Sequence, residues 1–391
     1  MKAALSIIFI ATANAFIPSS IIELSRVRDG CGKSRCMVTG MATSTSASSE
    51  VDISNQIANL KRVLLREYTS FFDPMEVEYY SDEVTFSDPL TSLAGVDSYK
   101  KNVDMLAGRT FLGSLLFDGA KINLHKVTGG SYNGDSEIED IQTRWTLKVT
   151  AKILPWAPTA SFTGISVYKL AVIDSKVKVI GQEDYWDSIN LMENSSGQYA
   201  QVDKSKALND FFGQIKPSGL QAQQSAAEIP YELLRRGKDY EVRRYPEAAV
   251  VKSQYTRRDE GYELLGRVTR GMKQFAPAIM TVGKAKEMKW FVGYALPGNS
   301  LTAVENFEGG SGTEMVVEPA KIIAVGKFND AALEPIVRKC NAELKAALDR
   351  DGLVYKEVDS VVQFAQYDAV YTMGDRRGEV WLELDETRSP W

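Results

Sequence analysis

The amino-acid sequence predicts an α+β protein built as two successive units. Three observations carry this. Helical periodicity comes first and period-two segments follow between about residues 53 and 187; a polar stretch marked by glycine and proline interrupts the chain near 204–228; beyond it lie two strand–helix–strand halves of similar size. A length of 391 residues suffices for two domains, and 44% hydrophobic with 25% charged residues is the composition of chains that bury a core.

Residues 1–15 combine an early Lys2, an apolar run and small residues suited to signal-peptidase cleavage after Ala15, and the run is too short to span a bilayer. The stretch that follows, to about Ser49, is rich in Ser and Thr. It carries Arg26, Arg28, Lys33 and Arg35 against only Glu23 and Asp29, the composition of a transit peptide. Residues 1–50 are therefore expected to be removed. Plain secretion is the alternative, with Asn194-Ser-Ser196 then open to glycosylation. Of three cysteines, Cys31 and Cys36 fall in this segment, which leaves Cys340 unable to form an intrachain disulfide. It is read as a small buried residue of a helix rather than as a nucleophile. Without residues 1–50 the chain has 41 basic and 48 acidic residues, a net charge of −7, and no basic face that would attract nucleic acid.

The first unit, 51–200, opens with a helix over 53–72 whose Ile57, Leu60, Leu64, Tyr68 and Phe71 recur at three- and four-residue spacing; Pro74 ends it. Asp97 or Ser98 is expected to cap a second helix presenting Tyr99, Val103 and Leu106. Strands are predicted at 121–127, 138–153, 161–173 and 176–187, with turns at Gly129-Gly130, Pro155 to Pro158 and Asp174-Ser175. The segment 201–228, with Lys216-Pro-Ser-Gly219 and the run Gln221 to Glu228, reads as a linker.

In the second unit, 229–387, Tyr231 to Tyr255 supplies two strands, Asp259 to Phe275 a helix and Glu287 to Leu296 a strand. Thr302 to Val317 and Ile322 to Phe328 follow as strands, Leu333 to Asp349 as a helix, and Val361 to Leu384 as a β-hairpin around Gly374-Asp-Arg-Arg-Gly378.

The pairing of Gln366-Tyr-Asp368 with Arg376-Arg-x-Glu-Val-Trp381, preceded by Tyr240-Glu-Val-Arg-Arg-Tyr-Pro246 and Ala248-Ala-Val-Val251, resembles the SOUL haem-binding family over residues 229–386. That resemblance implies a distorted antiparallel β-barrel with two flanking helices and pseudo-twofold symmetry. Element order, Tyr79 to Pro89 and Trp186-Asp187 make the first unit similar to the cone-shaped NTF2-like fold, of the uncharacterised plastid type found ahead of SOUL. The Ala13-Asn-Ala-Phe-Ile-Pro18 junction resembles bipartite presequences of secondary plastids. The implied protein is a non-enzymatic carrier or buffer of haem or another porphyrin in the plastid stroma, with a tetrapyrrole-metabolising enzyme as a possible partner and no transmembrane segment. Two alternatives stand beside it: an adaptor or effector-binding protein at a membrane or lipid body, and a small-molecule isomerase or hydrolase seated in the first unit.

A macrocycle needs apolar walls and cations for its propionates. The helix from Asp259 places Tyr262, Leu265, Met272 and Phe275 near one stripe with Arg267, Arg270 and Lys273 beside it, a pattern that plain packing also produces. By the resemblance this helix walls the ligand site. Arg267 and Arg270 then become the propionate partners, Met272 and Met280 the deformable wall, Tyr367 the pocket-facing aromatic and Arg376 or Arg377 the rim. The family's Ile-x-Met-Thr-x-Pro-Val strand is altered here to Ala278-Ile-Met-Thr-Val-Gly283. The single histidine, His125, lies in the first unit, so the second has no imidazole to give iron and no His-dependent triad. His125 is read as a satisfied strand residue, with pairing to Asp88 or Asp184 as the catalytic alternative; Trp145, Trp156 and Trp186 are read as core.

Overall fold

The structure is a computed structural model that describes residues 45–391 except 133, 135–137, 193–197, 217–226, 284–285, 294–306, 308–311, 331, 358–360 and 368–375. The cleavage and transit segment up to residue 44, the Asn194 sequon and the tip of the C-terminal hairpin lie outside the described residues. The chain divides into two compact units, one running to Tyr185 and including Asp203–Lys216, the other made of Trp186–Val202 and Pro217–Trp391.

In the first unit, helix α1 (Thr45–Ser70) buries Ile57, Leu60, Leu64 and Tyr68, the stripe its spacing predicts. It ends two residues early because Phe71 and Phe72 both adopt positive φ ahead of Pro74. Strands β1 (Tyr80–Ser87) and β2 (Ser92–Ala94) follow, then helices α2 (Val96–Leu106) and α3 (Phe111–Leu116). The cap of α2 is Gly95, at φ 87°, two residues ahead of the expected Asp97 and three ahead of Ser98. Strands β3 (Ala120–Gly129), β4 (Ile141–Thr150), β5 (Thr159–Ile173) and β6 (Lys176–Trp186) complete a six-stranded sheet in the order β2-β1-β6-β5-β4-β3, with β1 parallel to β6. Asp174 and Ser175, both at positive φ, make the two-residue turn that joins β5 to β6.

The segment expected as linker contains helix α4 (Lys204–Ile215), capped by Asp203, whose side chain accepts from the Ser205 N–H. Ala207, Phe211 and Ile215 fall at four-residue spacing; Ala207 and Ile215 are buried, and Phe211 stacks on Phe162 of β5 at 6.2 Å. Three apolar residues on one face outweigh the polar composition around them.

The second unit contains β7 (Glu232–Arg236), β8 (Glu241–Tyr245), β9 (Ala248–Gln254), α5 (Arg258–Val268), β10 (Gln274–Val282) and β11 (Glu287–Val292). It continues through β12 (Thr313–Glu318), β13 (Lys321–Asn329), α6 (Glu334–Arg350), β14 (Val362–Gln366) and β15 (Arg377–Glu383). Nine strands form one sheet in the order β12-β9-β11-β10-β14-β15-β13-β8-β7, and no ladder joins β12 to β7 among the described residues. Apart from the edge strand β7, this order is symmetric about the β10–β14 contact. Each half is a strand pair, a helix and a second strand pair, and each half's leading strand, β8 or β12, pairs with the opposite half's second strand, β13 or β9.

Helix α5 stops at Val268 and does not continue to Phe275. The Thr269 N–H still bonds the Leu265 carbonyl, but Gly271 adopts φ 85° and the chain leaves as strand β10. Alternation along the strands gives the sheet two apolar faces. One, with Met280, Met288, Val380 and Phe364, lies under α5 and α6; the other carries Tyr245, Phe291, Val325 and Trp381. Cys340 is buried on α6 against Gly326, as its helix pattern predicts.

Glycine inside a helix costs about 0.5–1 kcal/mol relative to alanine. Gly213 of α4 is exposed and a Cβ there meets nothing. Gly213→Ala is therefore expected to stabilise the first unit by about that amount in urea unfolding; no gain would mean that this segment is not helical in solution.

Candidate functional site

The six residues expected to hold a tetrapyrrole do not converge. Met280 is on the helix-covered face of β10, with Met272 just after α5 packed against the same core. Tyr367 and Arg377 extend β14 and β15 on the opposite face. A side-chain period of two decides this: Phe364 and Ala365 point to different faces, and Tyr367 follows Ala365.

On the helix side α5 packs directly on the sheet at Gly261. A Cβ on Gly261 would come within 3.0 Å of Met288 Cε and 3.1 Å of Tyr255 Cβ, so the helix already rests on the strands. Met280 is completely buried beneath it. Arg267 is 65% exposed and forms an i,i+4 pair with Glu263 at 3.4 Å, and Arg270 is exposed beyond the helix end. What stays reachable is a strip at the helix margin. Tyr262 and Trp290 meet there at 5.7 Å, with Val268 and Met272 half-buried around the same core. The Trp290 indole N–H is buried and has no hydrogen-bond partner among the described residues. The strip therefore offers aromatic and thioether surface, one orphaned donor, and two solvated guanidinium groups nearby in sequence.

The other face carries a buried ionic cluster that is not among the expected site residues. Arg243 of β8, 1% exposed, donates to both carboxylate oxygens of Glu379 of β15 at 3.0 Å each, to Glu241 at 2.6 and 2.9 Å and to the Tyr245 hydroxyl at 3.1 Å. Glu379 also accepts from the Tyr367 hydroxyl at 2.8 Å and the Trp381 indole at 3.0 Å. Arg377 lies 3.7 Å over the Tyr367 ring and pairs with Glu228 at 2.6 Å. Burial opposes ionisation of both carboxylates. The Arg243 charge wins, holding Glu379 below the usual range and Glu241 at about 2. Tyr367 and Arg377 are thus committed to an internal network rather than to a ligand. The signal was present in the sequence as Glu241-x-Arg243-x-Tyr245 and Glu379-x-Trp381, charged and aromatic side chains at alternate positions of strands.

In the first unit the structure separates His125 from both aspartates. Thr143 and Trp145 face α1, where they bond Tyr68 and Ser166. His125 reaches Thr146 at 2.8 Å, and Thr146 is an odd number of residues away on an unbroken ladder, hence on the opposite face. The α1 face gathers a different set. Tyr68 bonds Thr143, Ser166 and the Tyr168 hydroxyl at 2.8–3.2 Å, Tyr99 donates to Gln182, and Gln182 donates to Asp184 at 2.7 Å. Trp145 and Trp186 are buried, and Trp156 donates to the Ile215 carbonyl at 3.0 Å, so all three serve packing. Asp184 has no cation partner among the described residues. Burial, then the charge of Asp88, pushes its carboxyl up to about 7, while Asp88, bonded by the Leu90 and Thr91 N–H groups, rises to about 6. Glu67, buried against Tyr80 at 2.6 Å, likewise rises to about 7.

Comparisons with known proteins agree with this two-part organisation. Residues 226–383 match the family model described as SOUL heme-binding protein, and residues 58–180 match that of DUF2358, an uncharacterized conserved protein. No match was found among curated protein sequences. Similar solved structures include EcmrR in an EcmrR–DNA complex, at 10% identity and TM-score 0.28, covering 37% of this chain and 57% of that one. The chain thus spans little more than half of that relative. An NTF2-like protein from an Exiguobacterium species is 20% identical over 32% of this chain and 97% of its own, TM-score 0.23. An NTF2-like superfamily protein from Salmonella enterica is 13% identical over 36% and 93%, TM-score 0.26.

Two outcomes follow. Removing one partner of a buried pair strands a charge, so Glu379→Ala is expected to cost about 3–5 kcal/mol in urea unfolding, and Arg243→Met with Glu379→Leu to recover most of it; equal losses in single and double variants would mean that a stranded Arg243 charge is not the source of the cost. Asp184 holds its proton more tightly when folded than when unfolded. Its contribution is therefore fully present below the ordinary carboxylate range and is lost as pH rises through about 7. Tyr68, Tyr99, Tyr168 and Asp88 face it and stay with either variant. Asp184→Asn should raise first-unit stability at about pH 8 by on the order of 2–4 kcal/mol and leave it nearly unchanged at about pH 4; a gain independent of pH would contradict the burial of this carboxyl.

Proposed function

We propose that the second unit binds haem or a related porphyrin and that the protein serves as a plastid tetrapyrrole carrier or buffer. The observation that carries this reading is the family match over residues 226–383, described as heme-binding. The residues present fit such a group in a restricted way. With the single histidine in the first unit, iron receives no imidazole from the second, so the ring is held by shape, by its propionates and, where iron is ligated, by a Tyr or Met or by a ligand from another chain. The Tyr262–Trp290–Met272 strip beside α5 supplies the apolar contact, and Arg267 and Arg270 the cations. Met280, Tyr367 and Arg377 take no part in this version of the site.

A ring lying on the margin of a helix is loaded and released without opening the core, which suits delivery to a tetrapyrrole-metabolising enzyme. The transit-like composition of residues 16–49 supports the plastid as destination. No helix among the described residues is long and apolar enough to cross a membrane. A second reading draws on the first unit, where the half-buried Asp184, raised toward neutrality amid the tyrosine hydroxyls, has the properties of a general acid–base group for a small-molecule isomerase or hydrolase. It is tested by screening turnover with Asp184→Asn, not with a His125 variant.

Titration of the chain with haemin is expected to give a saturable Soret change at micromolar affinity. Trp290→Phe with Met272→Ala should weaken binding. Reversing Arg267 and Arg270 to Glu should cost only about 1 kcal/mol each, because both are solvated. Absence of saturation would overturn the carrier reading, and an unchanged affinity in both variants would move the ligand away from α5.

A further inference from the structure

Helix α3 is built in an unusual way for its length. Thr110 caps it, accepting the Gly113 N–H at 3.0 Å, and the Ser114 and Phe117 N–H groups bond the Thr110 and Gly113 carbonyls. Gly113 presses against α2 so closely that a Cβ would lie 2.1 Å from the Met105 carbonyl oxygen, and Leu116 and Phe117 are buried behind it. This clamp fixes the opposite side of the helix outward, and that side is apolar. Phe111 is 88% exposed, Leu115 51% and Leu112 38%. Ten large apolar residues are exposed among the described residues, and three of them are these neighbours.

The surroundings limit what covers the patch. Its one hydroxyl, Ser114, is turned back onto the Phe111 carbonyl at 2.8 Å, so covering the patch with hydrocarbon leaves few polar groups unsatisfied. Lys100 and Arg109, on the adjoining helix and loop, are both committed to Asp104, and the chain is net negative, so anionic headgroups gain little here. Three side chains expose on the order of 300 Å² of apolar surface, well under the roughly 800 Å² each partner gives a stable protein interface. A lipid surface needs no such area, only side chains able to pass the headgroups on a rigid support.

We propose that α3 is a docking spike for an uncharged or zwitterionic lipid surface, with Phe111, Leu112 and Leu115 as the inserted residues. Binding is reversible, since three side chains give far less hold than a membrane-spanning helix. It involves none of the residues of the proposed tetrapyrrole strip, because the spike belongs to the first unit.

Flotation of the full chain with phosphatidylcholine vesicles tests this against the triple variant Phe111→Ser, Leu112→Ser, Leu115→Ser, whose exposed positions leave the thermal melt unchanged. The chain should float with the vesicles and the variant should lose at least about tenfold in partitioning. Raising salt from about 0.1 to about 1 M should not detach the chain. Failure of the chain to float, equal flotation of the variant, or release by salt would each overturn the proposal. So would a concentration-dependent dimer that the variant abolishes in a chain that does not float, which would give the face to a second copy.

Discussion

The two halves of the second unit are joined by a charge that has no access to water. Arg243 belongs to the first half and Glu379 to the second, and they meet across β13, whose Ile323 is in register with Arg243 and whose Lys327 is in register with Glu379. Desolvating both ions is costly, and the bidentate geometry with Glu241, Tyr245, Tyr367 and Trp381 is what offsets it. Such a cluster tolerates one register only. Slipping β8 or β15 by one residue would carry the arginine or the carboxylate to the helix-covered face and leave the other ion unpaired. The exchange of leading strands between halves depends on this register, and the seat of both helices depends on the exchange.

The same alternation explains what was legible beforehand. The C-terminal hairpin could be read because Val362 to Gln366 and Arg377 to Glu383 are rich in strand formers on either side of turn residues, and the ladder pairs them as Gln363 with Trp381 and Phe364 with Val380. Helices α1 and α6 were equally plain from their stripes. β1 was not, since Asp82 is exposed on the parity that Tyr80, Val84 and Phe86 bury and so breaks the alternation. α4 was hidden by polar neighbours although Ala207, Phe211 and Ile215 carried the period. The end of α5 was missed because Met272 and Phe275 continue the helical stripe in text, while Gly271 at positive φ diverts the chain.

The candidate site shows a sharper limit. Residue type identified useful groups, yet type does not say which face a strand residue takes. Met280 and Tyr367 both look suited to line a pocket, and an odd offset across the β10–β14 ladder puts them on opposite sides of one sheet. His125 fails as a partner of Asp184 for the same reason. The groups that do assemble around Asp184, namely Tyr68, Tyr99, Tyr168, Ser166 and Gln182, come from two helices and two strands and share no sequence motif.

Closing the space beneath α5 has a consequence for how a flat ligand would be held. With Gly261 seated on Met288, a ring entering at that point would lift the helix and expose Leu265 and Met280 to water. A ring that stays at the margin keeps one face toward Tyr262 and Trp290 and the other toward solvent. It forgoes imidazole ligation and full burial, two contributions that make haem sites tight. What remains is stacking, dispersion and solvated guanidinium contacts, each modest and each lost without a conformational step. An affinity limited in this way would suit the proposed carrier, and the packing of α5 at Gly261 is what would limit it.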